Sequence, residues 1–83
     1  MEEKAIGTVS NYFDKVSVAA IKLSDNLKVG DKIRFVGGET DFEQEVESMQ
    51  IQHDKVDSAK AGQEVGIKVE DKVRSGYRVY KVA

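Results

Sequence analysis

The chain has 83 residues, enough for one domain with a single thin hydrophobic core, and we assign residues 1–83 to that domain. It has no cysteine, which excludes a disulfide framework and thiolate metal sites. Thirteen basic and fifteen acidic residues give a formal net charge of −2, which excludes a chain-wide basic surface for nucleic acid. Because the sequence shows no signal peptide and no apolar run of membrane-spanning length, we expect a soluble, cytoplasmic protein without membrane contact.

Apolar and polar side chains alternate with a period of two, which predicts short β-strands along most of the chain. A tight turn at Asp14-Lys15 joins the first two strands, and Gly30-Asp31 opens the third. We expect Leu27 and Val29 to pack from a loop onto the core, and Gly66 to mark a close approach within the fifth strand. The predicted strands span residues 5–13, 16–23, 31–36, 41–51, 64–69 and 77–82.

The third and fourth strands form a hairpin whose register can be predicted. A turn at Gly37-Gly38-Glu39-Thr40 places Val36 opposite Asp41 and Phe35 opposite Phe42. The same register places Arg34 and Lys32 across from Glu43 and Glu45. We interpret the acidic outward positions Asp41, Glu43, Glu45 and Glu47 as a solvated, salt-bridged surface, with a cation site as the alternative.

Two further local features follow from the pattern. The predicted inward-facing positions of the fourth strand change parity near residues 47–48, which predicts a β-bulge or a sharp bend. These positions are Phe42, Gln44, Val46, Met49 and Ile51. Residues 57–62 predict one helical turn, with Asp57 or Ser58 as N-cap and Gly62 as the stop. Six short strands with tight turns predict an all-β fold, a closed antiparallel β-barrel.

The residues that usually carry chemistry are scarce in this sequence. Phosphate-binding loops place glycines before a helix, whereas Gly37-Gly38 lies in a hairpin, so we expect no nucleotide and no cofactor. The single histidine, His53, could form only a weak metal set with Asp54 and Asp57, and no serine or cysteine stands in a nucleophile motif. We therefore expect no catalytic residue, no metal site and no enzyme.

Four segments, in matching order from about residue 7 to residue 82, resemble segments of the β-barrel domain 2 of elongation factor Tu and elongation factor one alpha. They are Leu27-Lys28-Val29-Gly30-Asp31-Lys32-Ile33, Val46-Glu47-Ser48-Met49-Gln50-Ile51-Gln52-His53, Ala59-Lys60-Ala61-Gly62-Gln63-Glu64-Val65-Gly66 and Val73-Arg74-Ser75-Gly76-Tyr77-Arg78-Val79. The resemblance implies a six-stranded β-barrel of the translation-protein type. Because the chain has no GTPase domain, it resembles the stand-alone elongation factor-like proteins, or the barrel modules appended to some peptidase-like RNA-modifying enzymes.

The resemblance also implies a function, since this barrel contacts the aminoacyl end of tRNA in elongation factors and ribosomal RNA in related factors. Gln50, Gln52 and His53 stand at the matching positions, and a glutamine amide can hydrogen-bond a base edge. Our first hypothesis is therefore a monomeric, non-catalytic module that binds tRNA or the ribosome. Its predicted binding residues are Gln50, Gln52, His53, Lys55, Lys60, Arg74 and Arg78, with Lys72 in the same basic set.

The alternative hypothesis is a protein-interaction module that acts in trans with a separate enzyme and has no nucleic-acid role. It predicts an exposed apolar patch on one face of the barrel, with Tyr12, Tyr77 or Tyr80 as anchors. The other interpretation of these tyrosines is that they plug the ends of the barrel and keep only the hydroxyl in water.

Overall fold

The computed structural model describes residues 3–38, 40–52 and 54–82, and β-strands are the regular elements within these residues. All strand pairs in this part of the chain are antiparallel, so the all-β prediction is confirmed. The same residues contain no helix long and apolar enough to cross a membrane. The strands are β1 (Glu3–Phe13), β2 (Val18–Leu23), β3 (Leu27–Lys28), β4 (Lys32–Gly37), β5 (Thr40–Glu45), β6 (Met49–Ile51), β7 (Asp54–Val56), β8 (Ser58–Ala59), β9 (Glu64–Lys68) and β10 (Arg78–Val82).

Eight of these strands form one sheet in the order β5-β4-β10-β1-β2-β9-β6-β7, and β3 pairs with β8 in a separate ribbon. Within the described residues the strand pairing leaves β5 and β7 at the two ends, so no closed barrel is found, and the prediction of six strands is wrong. The predicted strand over residues 41–51 is divided into β5 and β6, and the elements that were not predicted, β3, β7 and β8, are two or three residues long. Such short strands complete too few alternations for a period of two to reveal them.

The sheet curls around one core, because buried side chains from both ends of the strand order meet in the same apolar cluster. Phe35, Ile21, Ile67 and Met49, from β4, β2, β9 and β6, are completely buried in this cluster. The buried side chain of Gln44 joins β5 to the segment that follows β9. Its Nε2 donates to the Lys68 carbonyl at 2.8 Å, and its Oε1 accepts the Glu70 N–H at 2.9 Å. A side-chain clamp therefore holds the β5 end of the sheet where no strand ladder is formed.

The β4–β5 hairpin has the predicted register. Val36 lies opposite Asp41 and Phe35 opposite Phe42, and the two phenylalanine rings stack with centroids 5.0 Å apart. The strands extend as far as the pair formed by Gly37 and Thr40, so the connecting turn is shorter than predicted, and its residue 39 lies outside the described part of the chain. The pairs Arg34 with Glu43 and Lys32 with Glu45 are also confirmed, and Lys32 Nζ lies 3.7 Å from Glu43 Oε1.

Other local predictions have mixed outcomes. Val46 and Met49 are both buried although they are three residues apart, so the predicted parity change at residues 47–48 is confirmed. The helical turn at 57–62 is wrong, because Ser58–Ala59 instead pairs with β3 and buries Ala59. Leu27 is buried as predicted, but Val29 is 38% exposed.

Candidate interaction groove

A surface depression of about 800 Å³ lies on the outside of the sheet, between the β1–β2 turn and the β6–β7 hairpin. We call it the outer groove and define it by Phe13, Val16, Val18, Ala20, Gln50 and Gly66. Phe13 and Val16 are 47% and 59% exposed, and they are two of the three large hydrophobic residues that are exposed within the described residues. The groove therefore concentrates the exposed apolar surface of the described chain.

A β-bulge at Ser10 turns Phe13 outward. Val9 pairs with Ile21 and Asn11 with Ala20, so Ser10 has no partner on β2 and the alternation of β1 changes parity there. Val9 is buried before the bulge, whereas Phe13 points to the outer face after it. A strand without the bulge would direct Val9 and Phe13 to the same face.

Small residues form the floor of the groove. Ala20 and Gly66 are cross-strand partners on β2 and β9, and Gly66 also pairs with Gln50 of β6. Ala19 and Ile21 point into the core on either side of Ala20, so Ala20 faces outward. A Cβ atom at Gly66 would lie 3.2 Å from Val18 Cγ1, so a larger side chain there would fill the floor. This close approach confirms the prediction made for Gly66.

The β1–β2 turn forms a fixed wall of the groove. The Val16 N–H donates to the Phe13 carbonyl at 3.3 Å, which holds the two exposed apolar residues in one turn. Ser17 follows with a φ of 56°, and its carbonyl accepts the Val69 N–H at 2.8 Å. Because both ends of the turn are bonded to backbone, the wall is already formed before any partner binds.

The charges at the groove do not favour a polyanion. Asp14, Lys15 and Glu64 contribute two carboxylates and one cation to its lining, while the floor is uncharged. The Ser10 hydroxyl lies 2.6 Å from Glu64 Oε2 and 3.1 Å from the Ala20 carbonyl, which fixes Glu64 at the edge. A phosphate backbone needs several converging cations, and the described residues of the lining contribute one, Lys15.

The structure does not bring the predicted binding residues together. Gln50 and Gln52 line the outer groove, and Lys55 is the exposed cross-strand partner of Gln50 on β7. Lys60 is exposed in the turn after β8. His53 lies outside the described residues. The last two predicted residues, with Lys72, lie at two further depressions: Arg74 and Lys72 line one with Tyr12 and Tyr77, and Arg78 lines the other with Thr8 and Lys22.

The tyrosines predicted as anchors are packed instead. Tyr12 and Tyr77 are half-buried against the core, and the Tyr77 hydroxyl lies 3.4 Å from Thr40 Oγ1. Tyr80 is also half-buried. The exposed apolar patch that the alternative hypothesis predicts is present, but Phe13 and Val16 form it. One feature of the sequence indicates that β1 is interrupted. If β1 alternated without a break, the polar side chain of Asn11 would face the core.

Two surface carboxylates have shifted pKa values. Hydrogen bonding to Lys4 lowers the pKa of Asp25, and hydrogen bonding to Arg34 lowers the pKa of Asp41. The interpretation of Asp41 as part of a salt-bridged surface agrees with its bond from Arg34 Nε, at 2.6 Å. No group of three or more His, Cys, Asp or Glu side chains within residues 3–38, 40–52 and 54–82 could hold a metal ion.

Comparison with known proteins places this fold beside peptidases. No family model matches the chain. It is 50% identical over 76 residues to an uncharacterized protease of Methanocaldococcus jannaschii, a match that covers 90% of this chain and 19% of the protease. The chain thus spans about a fifth of the length of that curated relative.

Two solved structures share the fold, and both are of the C-terminal domain of a putative U32 peptidase from Geobacillus thermoleovorans. One has a TM-score of 0.90, with 96% of this chain and 93% of that chain covered. The other, a selenomethionine variant, has a TM-score of 0.87, with 92% and 96% covered. Sequence identity is 23% in each case.

These findings overturn the elongation factor resemblance and the hypothesis of a translation-factor-like module that binds tRNA or the ribosome. The matching segments contain turns that any similar sheet needs. In Lys28-Val29-Gly30-Asp31, Gly30 has a φ of 99°, and the Asp31 carboxylate accepts the Lys28 N–H at 3.1 Å. In the segment after β8, Gly62 has a φ of 90° and its N–H donates to the Leu23 carbonyl at 2.8 Å. The shared residues therefore specify backbone geometry and not an RNA contact.

Proposed function

We propose that this chain is a protein-interaction module that serves an enzyme of the U32-peptidase type, docking on the catalytic part and supplying no catalytic group. The observation that carries the proposal is the match to the M. jannaschii protease, where a segment 50% identical to this chain makes up only 19% of the protein. In that relative, most of the chain lies outside the module. Interfaces between domains of one chain resemble transient protein–protein interfaces, so a module joined to a larger body is expected to present a contact surface to it.

The surface chemistry supports a docking role. Catalytic acids and bases have pKa values displaced toward the working pH, through burial or a neighbouring like charge. Here Asp25 and Asp41 have pKa values displaced the other way by hydrogen bonds from cations, as in surface ion pairs. The unusual feature of the described surface is apolar, with Phe13 and Val16 exposed beside an uncharged floor. Exposed apolar patches mark surfaces that contact proteins or other apolar partners.

A chimeric enzyme tests the proposal. The 76-residue segment of the M. jannaschii protease that matches this chain would be replaced by this chain, keeping the rest of the protease. Hydrogen–deuterium exchange would then be compared between the isolated chain and the same residues within the chimera. If the module docks, a contiguous set of its exposed amides exchanges more slowly in the chimera.

Two controls make the result decisive. In the first control, a long Gly/Ser-rich linker separates this chain from the protease. The linker lowers the effective concentration of the module near the protease, so amide protection that depends on docking should weaken. Thermal unfolding should show the two parts melting together in the direct chimera. Unchanged exchange at every surface amide of the module, with two independent transitions, would contradict the proposed function.

A further inference from the structure

The outer groove has the properties of a pocket for apolar side chains. Phe13 and Val16 stand at its edge with about half or more of their surface in water, while Ala20 and Gly66 leave the floor low between them. Aromatic side chains with this exposure contribute large contact area once a partner covers them. The turn that carries them is held by backbone hydrogen bonds at 3.3 and 2.8 Å, so little ordering is required on binding.

Charge selects among the possible occupants. Among the described residues that line the groove, Lys15 is the one cation, and it stands beside Asp14, while Glu64 is bonded to Ser10. Lysines also stand beside the groove on the same face, with Lys68 opposite Val18 and Lys55 opposite Gln50, whereas the floor at Ala20 and Gly66 carries no charge. The amides of Gln50 and Gln52 can hydrogen-bond a peptide backbone without requiring charge. The floor and the wall formed by Phe13 and Val16 are therefore complementary to uncharged apolar side chains of a polypeptide segment.

We infer that the outer groove binds an uncharged apolar segment of the catalytic part of the enzyme, which inserts aliphatic or aromatic side chains between Phe13 and the floor at Gly66. This inference rests on the proposed function and names the surface through which it acts. About four-fifths of the M. jannaschii relative lies outside the matching segment, and that body is the partner to which the module is joined. Gln50 and Gln52, predicted as RNA-binding residues, would contact the backbone of this segment.

The test uses the chimera described above, with three variants of this chain. Phe13→Ser and Val16→Ser remove the exposed apolar surface, and Val29→Ser is the matched control because Val29 is 38% exposed but does not line the groove. All three side chains are exposed, so the isolated variants should unfold at nearly the wild-type urea concentration. The measured quantity is the hydrogen–deuterium exchange rate of the backbone amides of residues 14–17, which we call the turn amides.

In the wild-type chimera we expect slow exchange of these turn amides relative to the isolated chain. Phe13→Ser should speed their exchange about tenfold or more, as expected for loss of an aromatic contact that the partner covers, and Val29→Ser should leave it unchanged. Gly66→Val fills the floor of the groove and should also speed the exchange of the turn amides. Because Val18 Cγ1 lies close to position 66, the unfolding free energy of this variant must be measured separately.

Distinct results would overturn the inference and leave the proposed function standing. Protection that maps to the depression lined by Tyr12, Lys72 and Arg74, with the amides of residues 15–17 unprotected, would place the interface elsewhere; Asp14 lines both depressions and does not distinguish them. A dimer of the isolated chain that Phe13→Ser dissociates would make a second copy the occupant. By contrast, absence of protection anywhere on the module would remove the proposed function itself.

Discussion

Replacing Gln44 with leucine should destabilise the protein, because the Gln44 side chain fastens the β5 end of the sheet. It is 8% exposed and makes two hydrogen bonds, at 2.8 Å to the Lys68 carbonyl and at 2.9 Å from the Glu70 N–H. Each such bond contributes about 0.5–1.5 kcal/mol net, so their loss costs about 1–3 kcal/mol. Total stability for a domain of this size is about 4–12 kcal/mol, so the change should be plain in urea unfolding.

The control is Gln50→Leu, because Gln50 is an exposed glutamine on β6, the next strand along the chain, and should change stability by about 0.5 kcal/mol or less. Urea unfolding of both variants, monitored by far-UV circular dichroism, gives the free energies directly. A Gln44→Leu variant as stable as the wild type would refute the argument that this side chain clamps the two segments.

Gln44→Glu adds a test with a defined sign. Burial beside the Lys68 carbonyl should raise the pKa of the new carboxyl in the folded state above its unfolded value of about 4.3. The protonated acid can both donate and accept as glutamine does. The stability of the variant should therefore match the wild type below the unfolded-state pKa and fall behind it as pH rises through the folded-state pKa. A difference in unfolding free energy between Gln44→Glu and the wild type that does not vary with pH would contradict the burial of this side chain.

Three other predictions follow from contacts elsewhere. Gly37→Ala should cost about 1–3 kcal/mol in urea unfolding, because its Cβ would lie 2.2 Å from Tyr77 Cδ1, and the cost should shrink in a Tyr77→Ala background. The Arg34–Asp41 pair should stabilise the protein above the unfolded-state pKa of Asp41, and this contribution should be lost as pH falls through its lowered folded-state pKa. The wild type should lose unfolding free energy between about pH 7 and about pH 2.5, and Asp41→Asn should lose less over the same range. Equal losses in the two proteins would contradict a stabilising Arg34–Asp41 pair. Isolated Phe13→Ser should bind less of a hydrophobic dye than Val29→Ser, because Phe13 lines the outer groove together with the exposed Val16, whereas Val29 does not line it.

Local strand pairing could be predicted from the sequence where several signals agreed. In the β4–β5 hairpin, a turn with two glycines, the Phe35–Phe42 pair and the opposite charges across the strands all specify one register, and the structure has it. The parity change before Met49 was equally visible, because apolar residues separated by three positions cannot share one face of a regular strand.

Features that depend on distant segments could not be predicted in this way. Ser58 and Ala59 have ordinary helix propensity with a capping residue nearby, but pairing with Leu27 and Lys28 overrides it. The bulge at Ser10 likewise depends on how β1 pairs with β2. Since that bulge turns Phe13 outward, the candidate groove was hidden from simple alternation.

The segments that suggested a translation factor show the same limit. Gly30 and Asp31 were interpreted as the residues that open the third strand, and they do form a turn before it, but a turn fixes the backbone and leaves the surface open to different uses. The basic residues predicted to form one RNA-binding patch are spread over separate depressions, with Arg74 and Arg78 in different ones. Charge counted along the chain carries no information on whether the side chains converge.

Photochemical cross-linking from position 13 shows directly whether the module docks through the outer groove. A photoreactive phenylalanine analogue at position 13 of the module, within the full-length chimera, would be activated and the cross-linked peptides identified by mass spectrometry; position 29 serves as the matched control. We expect cross-links from position 13 to an apolar segment of the protease part and none from position 29. Equal yields from both positions, or no cross-link from position 13, would contradict docking through the outer groove.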